Sequence, residues 1–309
     1  VIIEYKPIRL PEVKEKEAEV YLKEVSSLVL PKEVVERLRK VHERIPLIEV
    51  EMNGEKKLMA YGEIRWSDEL QSLMYEIHEP ILDEKEKKIL GELERYIEEK
   101  LDIDFRAIRN IEEANKYIMT KMKEGIKKMG YKLTKDQMFK MLYYLQRDLV
   151  GLEKIEPLMR DPDIEDISCD GVGIPVFIYH RNPLYGEMPT NIVFSDKEEL
   201  DNFIIKLAQK AGRAISVAHP LLDGSLPDGS RVQATYGTDI ARRGSNFCIK
   251  EGYVVLANGE IVEIDKLFER FKRKFGSNFD EFGNEYVDVD IEVIGVNPST
   301  LEQKKLRVK

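Results

Sequence analysis

Cysteine and histidine are both scarce in this sequence of 309 residues, which has two cysteines and four histidines. Cys169 and Cys248 cannot make a disulfide framework, and no Cys-x-x-Cys pair is present. Along the chain the histidines show no mutual spacing typical of a zinc site. The sequence pattern therefore predicts neither a disulfide-stapled domain nor a metal centre.

Long apolar runs are also missing. No stretch approaches the roughly 18 residues of a membrane span, and no charged-then-apolar secretory signal is seen, so we expect a cytoplasmic protein. The net charge of −9 and the pI of about 5.3 disfavour nucleic acid as a partner, because phosphate binding needs a basic surface. Abundant Glu and Lys, within a charged fraction of 35%, fit a thermophilic source.

The first half of the chain is predicted to be largely helical. The stretch PKEVVERLRKVHERI has the spacing of an amphipathic helix, and Asn53-Gly54 marks a hairpin turn. A long helix is expected in PILDEKEKKILGELERYIEEKL. A second helical block is expected from about residue 111 to 160, with breaks near Gly130 and Gly151.

From Asp161 onward the pattern changes to strands and turns. IEDISCDGVGIPVFIYH predicts strand, turn and strand. A helix follows, with a predicted capping box of Ser195 and Glu198 and a stop at Gly212. Further turn-rich strands come next, so this part is predicted to be a small α+β domain.

Residues from about 75 to 247 resemble the N-terminal region of archaeal secretion ATPases, relatives of the type II secretion, type IV pilus and archaellum assembly motors. The resemblance rests on YEIHEPILDEKEKKIL, on YYLQRDLVGLEKIEPLMRDPDIEDISCDGVGIPVFIYH and on HPLLDGSLPDGSRVQAT. It implies a PAS-like N-terminal domain packed on a RecA-like ATPase domain. It also implies a ring of six subunits that uses ATP and Mg²⁺ to move pilin or another substrate. The partner would be an inner-membrane platform protein, at the cytoplasmic face of the membrane.

Three arginines are candidates for the nucleotide phosphate in the intact motor. Arg231, in LPDGSRVQAT, matches the family position that reaches the nucleotide, and Arg242 and Arg243 lie near the expected hinge into the ATPase domain. Arginines from a second domain can stabilise the charge of phosphoryl transfer. The alternative is that all three simply pair with nearby aspartates on the surface, such as Asp223.

The phosphate-binding loop that the resemblance requires is missing from these residues. A Walker A loop has the pattern Gly-x-x-x-x-Gly-Lys-Ser/Thr, and the sequence contains no Gly-Lys dipeptide. We therefore expect that the ATPase core lies outside this chain, and that the chain alone binds neither ATP nor Mg²⁺.

A second resemblance begins at Cys248. CIKEGYVVLANGEIVEIDKLFERF predicts a hairpin turning at Asn258-Gly259, with Val255 opposite Val262, and then a helix capped by Asp265. YVDVDIEVIGV predicts a half-buried strand. This arrangement resembles the start of an intein, a segment that excises itself and joins its flanks.

The intein resemblance implies a role for two adjacent residues. Cys248 would be the nucleophile, and the carbonyl carbon of Phe247 would be its target. A thiol suits this step because its ordinary pKa of about 8.5 makes the thiolate accessible. Through Lys309 no Thr-x-x-His element or terminal His-Asn is found. We therefore expect that the chain is a precursor cut short or one half of a split intein. Splicing would then need the remaining intein segment and the C-extein as partners.

The predicted fold class is α+β, in three parts. Residues 1–105 would be the secretion-ATPase N-terminal region with helices and a hairpin. Residues 106–247 would be the helical block and PAS-like domain, and residues 248–309 would be an incomplete all-β Hint-type intein segment. Two other functions stay open: a free-standing docking module without catalysis, and a Cys/His hydrolase that combines Cys248 with His219 or His180.

Overall fold

The computed structural model describes residues 32–100, 111–238 and 243–250, and beyond them the segments 253–255, 261–279, 285–288, 291–296 and 303–308. The fold is α+β, as predicted. Most described residues belong to a nine-stranded sheet and the helices packed on it. No helix in these ranges is long and apolar enough to cross a bilayer.

The first half of the chain forms a three-stranded meander followed by helices. Its elements are α1 (Lys32–Leu38), β1 (His42–Met52), β2 (Glu55–Ser67), β3 (Ser72–His78), α2 (Glu84–Glu99), α3 (Ile111–Met129) and α4 (Lys135–Leu145). A π-helical turn, Gln146–Val150, and two 3₁₀ turns, Glu153–Ile155 and Leu158–Arg160, lead into the second half.

The second half supplies the remaining strands of the large sheet. Its elements are β4 (Ile164–Cys169), β5 (Pro175–His180), β6 (Glu187–Val193), α5 (Lys197–Lys210), β7 (Leu221–Ser225), β8 (Arg231–Thr235) and β9 (Asn246–Lys250). Short elements follow: β10 (Tyr253–Val255), β11 (Ile261–Glu263), α6 (Ile264–Phe275), β12 (Asn278–Phe279), β13 (Glu285–Tyr286), β14 (Ile291–Val296) and β15 (Gln303–Val308).

The large sheet has the strand order β1-β2-β3-β6-β5-β4-β9-β8-β7. It consists of two antiparallel halves joined by a parallel contact between β3 and β6, where Tyr75 pairs with Thr190. The side-chain amide of Asn191 strengthens this joint, because it accepts from the Ile77 backbone N–H at 2.8 Å and donates to the Ile77 carbonyl at 2.8 Å. The sheet thus combines strands from before and after residue 105, the first predicted domain boundary. Strand β9 continues through residues 247 and 248, the second predicted boundary. The predicted domain boundaries stay a prediction.

Two apolar cores hold the sheet to its helices. One lies between α5, the 3₁₀ turns and the strands from β3 to β9. The other lies between β1, β2 and the three helices α2 to α4. Tyr75 is fully buried in the first core, and its hydroxyl donates to Asp161 Oδ2 at 2.6 Å. A buried polar group of this kind needs such a partner, so the bond ties β3 to the end of the second 3₁₀ turn, just before β4.

Several predicted local features are confirmed. Asn53 and Gly54 have φ of +54° and +80°, as a type I′ hairpin requires. The long helix expected in PILDEKEKKILGELERYIEEKL is present as α2, and the structure adds a full capping box between Asp83 and Glu86 at its start. The helical block breaks at Gly130, with φ of +74°, and Gly212 ends α5 with φ of +66°.

The capping box predicted at Ser195 and Glu198 is wrong by one residue. Asp196 is the cap, since its Oδ1 accepts from the Glu199 N–H at 2.8 Å. Glu199 Oε2 accepts from the Ser195 N–H at 2.8 Å instead. A carboxylate is as good a cap as a hydroxyl, so sequence alone did not separate the two registers.

The predicted helix over PKEVVERLRKVHERI is also too long. Helix α1 ends at Leu38, and His42 already begins β1, where it pairs with Arg65 of β2. The hairpin anchored at Asn53-Gly54 extends to that residue, and its tertiary pairing overrides the helical pattern.

Three predictions after Cys248 need correction. Val255 pairs with Ile261 rather than Val262, so the hairpin register is shifted by one residue, and Asn258-Gly259 lies outside the described residues. Helix α6 begins at Ile264, which places Asp265 inside its first turn. The single strand predicted over YVDVDIEVIGV is interrupted, because Tyr286 ends β13, residues 287 and 288 are not in a strand, and β14 covers Ile291–Val296; residues 289 and 290 lie outside the described residues.

The Tyr75 ring imposes a glycine on the neighbouring strand. A Cβ at Gly62 would lie 2.5 Å from Tyr75 Cζ, which is well inside van der Waals contact. We expect Gly62→Ala to lower the free energy of unfolding by about 1–3 kcal/mol, because the buried ring must shift. Chemical denaturation of the full chain measures this.

Gly91 offers the matched control. It lies in α2, and a Cβ there meets nothing within 4 Å. Gly91→Ala should raise the stability by about 0.5–1 kcal/mol, because alanine is the better helix former. If Gly62→Ala were as well tolerated as Gly91→Ala, the close approach of Tyr75 to β2 would be wrong.

Candidate functional site

The predicted nucleophile lies in the middle of β9. This strand is hydrogen-bonded on both sides, to β4 and to β8. Cys248 is paired with Ser168 of β4 and Gln233 of β8, and Phe247 with Cys169 and Ala234. The peptide bond between Phe247 and Cys248 is therefore embedded in a three-strand ladder.

The side chains of β9 alternate between the core and the outer face. Phe247 is 2% exposed and packs against Phe203 and Phe194, with ring centroids 5.2 and 5.9 Å away. Burial of such a ring stabilises the fold by roughly 1.5–3 kcal/mol. Cys248 is exposed, and Ile249 returns to the core. The predicted scissile bond thus joins a core anchor to an accessible thiol.

The surroundings of Cys248 do not activate its thiol. Partial burial, followed by the negative charge of Asp166, raises the thiol pKa above its ordinary value, and Lys250 only partly offsets this. Asp166 accepts from Lys250 Nζ at 3.1 Å on the outer face of the sheet. A smaller thiolate fraction makes the thiol a slower nucleophile in this conformation.

Cys169 differs from Cys248 in burial, and His180 is separated from Cys248 along the sheet. Cys169 is buried, and desolvation raises its pKa to about 12. His180 pairs with Ile164, four residues along β4 from the Ser168 partner of Cys248, which is about 13 Å along the strand. His219 is exposed and lies in the segment before β7. The structure does not bring Cys248 and His180 together as a catalytic pair.

Arg231 forms an ion pair with Asp223, the alternative to nucleotide binding that the sequence left open. Its Nε and Nη2 donate to the two carboxylate oxygens of Asp223 at 3.1 and 3.0 Å, with both side chains 60% exposed.

The second arginine candidate, Arg242, lies outside the described residues. Arg243 is described, and its backbone carbonyl would lie 2.7 Å from a Cβ at Gly171. Only glycine fits there, in the turn predicted between β4 and β5.

A second cluster of polar side chains lies on the outer face of β1, β2 and β3. Glu63 Oε2 lies 2.9 Å from His78 Nε2, and Glu63 Oε1 contacts His42 Nε2. Glu76 is the cross-strand partner of Glu63, and Arg65 donates to its two oxygens at 2.8 and 2.6 Å. Burial by itself would raise the pKa of Glu63, but the hydrogen bond with His42 and the charges around it hold that pKa below its ordinary value.

Sequence spacing missed this cluster. His42 and His78 are far apart along the chain, and they meet only because β1 and β3 flank β2. The signal was the hairpin itself: the register set by Asn53-Gly54 and the alternation along each strand place these side chains on one face. Among the described residues, Glu63, Glu76 and His78 bring imidazole and carboxylate ligand atoms close enough together to hold a metal ion.

Comparison with known proteins shows the family to which the chain belongs. No family model matches the chain. It is 38% identical over 209 residues to the uncharacterized protein MJ1288 of the archaeon Methanocaldococcus jannaschii, covering 67% of this chain and 81% of that protein. The chain belongs to the same family as MJ1288. Because the match covers 209 residues, the family membership does not rest on one short motif.

Two other proteins of Methanocaldococcus jannaschii are similar over shorter stretches. The uncharacterized proteins MJ0900 and MJ0781 are 41% identical over 120 residues and 38% identical over 109 residues. The chain spans only 21% and 14% of their lengths. Among solved structures, the VirB11 ATPase from the Brucella suis type IV secretion system is similar, with 21% identity over 31% of this chain and 28% of that one. Its TM-score is 0.26, which is too low to support an assignment.

The raised pKa of Cys248 leads to a prediction about its reactivity. Asp166→Asn removes the negative charge that raises the thiol pKa most, so the thiol pKa should fall and alkylation by iodoacetamide at pH 8 should become roughly two- to threefold faster. Mass spectrometry measures the rate at Cys248, and Cys169 stays unmodified because its thiol is buried. Asp136→Asn, on the exposed start of α4, is the control and should leave the rate unchanged. An unchanged rate in Asp166→Asn would contradict the electrostatic cause.

The exposed pair of Arg231 should contribute little to folding. We expect Arg231→Ala to change the free energy of unfolding by less than about 1 kcal/mol, because exposed ion pairs are screened by water. Arg147→Ala is the comparison. Arg147 pairs with Glu79 and Asp148 at 2.7 Å with its side chain only 15% exposed, and its loss should cost about 3 kcal/mol or more. Equal losses in the two variants would show that Arg231 is a structural residue.

Proposed function

We propose that the residues up to Phe247 are the N-terminal region of a secretion-type motor ATPase, and that Cys248 opens an intein that interrupts it. The observation that carries this proposal is the change of sequence character at one peptide bond. Secretion-ATPase-like sequence ends at Phe247, and intein-like sequence begins at Cys248. The geometry is compatible with a junction at this bond, because Phe247 is anchored in the core and Cys248 is exposed.

The motor part of the proposal concerns a longer protein than this chain. A match to limited parts of MJ0900 and MJ0781 is what one region of a long protein would give. In the intact motor, a ring of six subunits would hydrolyse ATP with Mg²⁺ and act on a membrane platform protein at the cytoplasmic face. The Walker A loop would come from sequence outside the chain.

Arg231 is the proposed contact to the nucleotide phosphate. Its guanidinium is exposed at the start of β8, and Asp223 holds it in the planar, two-bond geometry that a phosphate would also accept. A phosphate group presented by another domain would compete with Asp223 for the same donors. Arg243 is the second described candidate, and no role is assigned to Arg242.

The intein part of the proposal is an acyl shift from nitrogen to sulfur. The Cys248 thiolate adds to the carbonyl carbon of Phe247, and the carbon–nitrogen bond of the peptide then breaks. The nitrogen takes up a proton and becomes the free α-amine of Cys248, while the acyl group stays on sulfur as a thioester. The proton donor would be the histidine of a Thr-x-x-His element in the remaining intein segment.

The sheet opposes this step. The carbonyl carbon must become tetrahedral, whereas β9 holds the peptide extended between two ladders. The strand must therefore leave its neighbours locally before the shift occurs. In the folded chain we expect the reaction to be slow, which agrees with the expectation that the chain does not splice alone.

A free-standing docking module is the second candidate. The continuity of β9 favours it, because Cys248, Ile249 and Lys250 complete the ladder as ordinary strand residues. Residues 248–309 would then be a small β appendage, and Cys248 would have no chemical role.

Cleavage by added thiol separates the two candidates. With a small thiol at pH 8 we expect slow release of residues 1–247, because the thiol exchanges with the thioester. Without thiol the chain should stay intact over the same time. Intact-mass spectrometry identifies the fragment and its new end at Phe247.

The controls decide what each outcome means. Cys248→Ala should abolish cleavage, and Cys169→Ala should leave it unchanged. A chain that is stable to thiol, also when it is extended by any residues that its gene encodes after Lys309, would favour the docking module. Cleavage that persists in Cys248→Ala would overturn the intein mechanism.

A further inference from the structure

We propose that Glu63, Glu76 and His78 bind a divalent cation of the zinc type, with His42 as a fourth ligand, and that the ion clamps β1, β2 and β3 together. This site lies in the N-terminal half of the sheet and is independent of the chemistry at Cys248. Its ligand set, imidazole nitrogen and carboxylate oxygen, is one that zinc accepts in proteins.

The distances between the ligand atoms fit one ion. With bonds of about 2.0–2.1 Å, the ligands of a tetrahedral zinc site lie about 3.3 Å from one another. His78 Nε2 lies 2.9 Å from Glu63 Oε2 and 3.8 Å from Glu76 Oε2, which brackets that value. One ligand atom from each of the three residues lies within 4.8 Å of the other two. Small rotations of the side chains are enough to surround an ion.

His42 lies beside these three ligands, and its ring would have to turn to become the fourth. Its Nε2 contacts Oε1 of Glu63, the oxygen that His78 does not use. Its side chain is 60% exposed, so its ring can turn toward the ion without disturbing the core. Two of the four histidines in the chain thus meet on a single carboxylate.

The burial of the carboxylates argues for a cation at this position. The side chains of Glu63, Glu76 and His78 are 10%, 19% and 15% exposed. Glu63 and Glu76 face each other directly across β2 and β3, and like charges in that arrangement destabilise a sheet. A divalent ion shared by both carboxylates would remove this repulsion.

The surrounding residues would orient the ligands. Arg65 binds both oxygens of Glu76, but each carboxylate oxygen has two lone pairs, so Glu76 can keep Arg65 while it binds an ion. The ring of Tyr61 stacks on His78 with centroids 4.6 Å apart. Contacts between metal ligands and the residues around them fix the orientation of the ligands in metal sites.

The competing explanation is that arginines alone neutralise the two carboxylates. Arg65 pairs with Glu76, and Arg44 Nε lies 3.6 Å from Glu63. In that case the cluster is a network of ion pairs that has no use for a metal. Measured binding of the metal decides between the two.

The test is titration of the tag-free full chain with ZnCl₂ by isothermal calorimetry, and with CoCl₂ by visible absorption. We expect one saturable site and the d–d absorption bands of cobalt bound to nitrogen and oxygen. His78→Gln should weaken zinc binding by at least about tenfold and remove those bands. His42→Ala should weaken binding to a smaller extent, because His42 is the exposed fourth ligand.

Matched variants exclude other binding sites. His219→Ala removes an exposed histidine far from the cluster, and Cys248→Ser removes the accessible thiolate, so both should bind zinc like the parent chain. Circular dichroism checks that His78→Gln is folded. If it is unfolded, Glu76→Gln, which keeps the side-chain shape, takes its place as the test variant. Absence of saturable binding in the parent, or parent-like binding in both His78→Gln and Glu76→Gln, would overturn the proposal.

Discussion

The parallel contact between β3 and β6 is the constraint on which the rest of the sheet depends. It joins an N-terminal meander to a C-terminal set of six strands, and regular pairing there is limited to Tyr75 with Thr190. Side chains supply what the ladder lacks: the Asn191 amide bonds both backbone groups of Ile77, and Tyr75 donates to Asp161. Because these groups are largely buried, each lost bond would leave an unsatisfied polar atom, which is costly. Because the two halves of the sheet meet here, the joint sets the position of the cluster around Glu63 and His78 relative to Cys248.

Local features could be predicted from sequence because their causes are local. Positive φ at Asn53 and Gly54 and the Asp83 cap follow from residue type and spacing alone. The end of α1 at Leu38 could not be predicted, since it is set by pairing between His42 and Arg65 across the hairpin. The meeting of His42 with His78 has the same origin, because strand order decides it. Pairing between distant strands leaves little trace in a local pattern.

The candidate sites differ in how much sequence could say about them. The change at Cys248 is visible in sequence, but its embedding in a double ladder is not, since β4 lies some 80 residues earlier along the chain. The pairing of Arg231 with Asp223 was foreseeable from their proximity in sequence. Partial burial is the main cause that raises the Cys248 pKa, and the charge of Asp166, which only the sheet brings near, raises it further. Chemistry set by neighbouring strands therefore had to come from structure.

Strand β9 also has a consequence for solubility. It fills the gap between β4 and β8, which would each present a row of unpaired backbone groups without it. Exposed strand edges of this kind are templates for aggregation. By supplying the alternation of core and surface side chains, Cys248, Ile249 and Lys250 keep two edges covered. Any event that removes these three residues must replace them with residues of equal strand character, or the sheet is left open between β4 and β8.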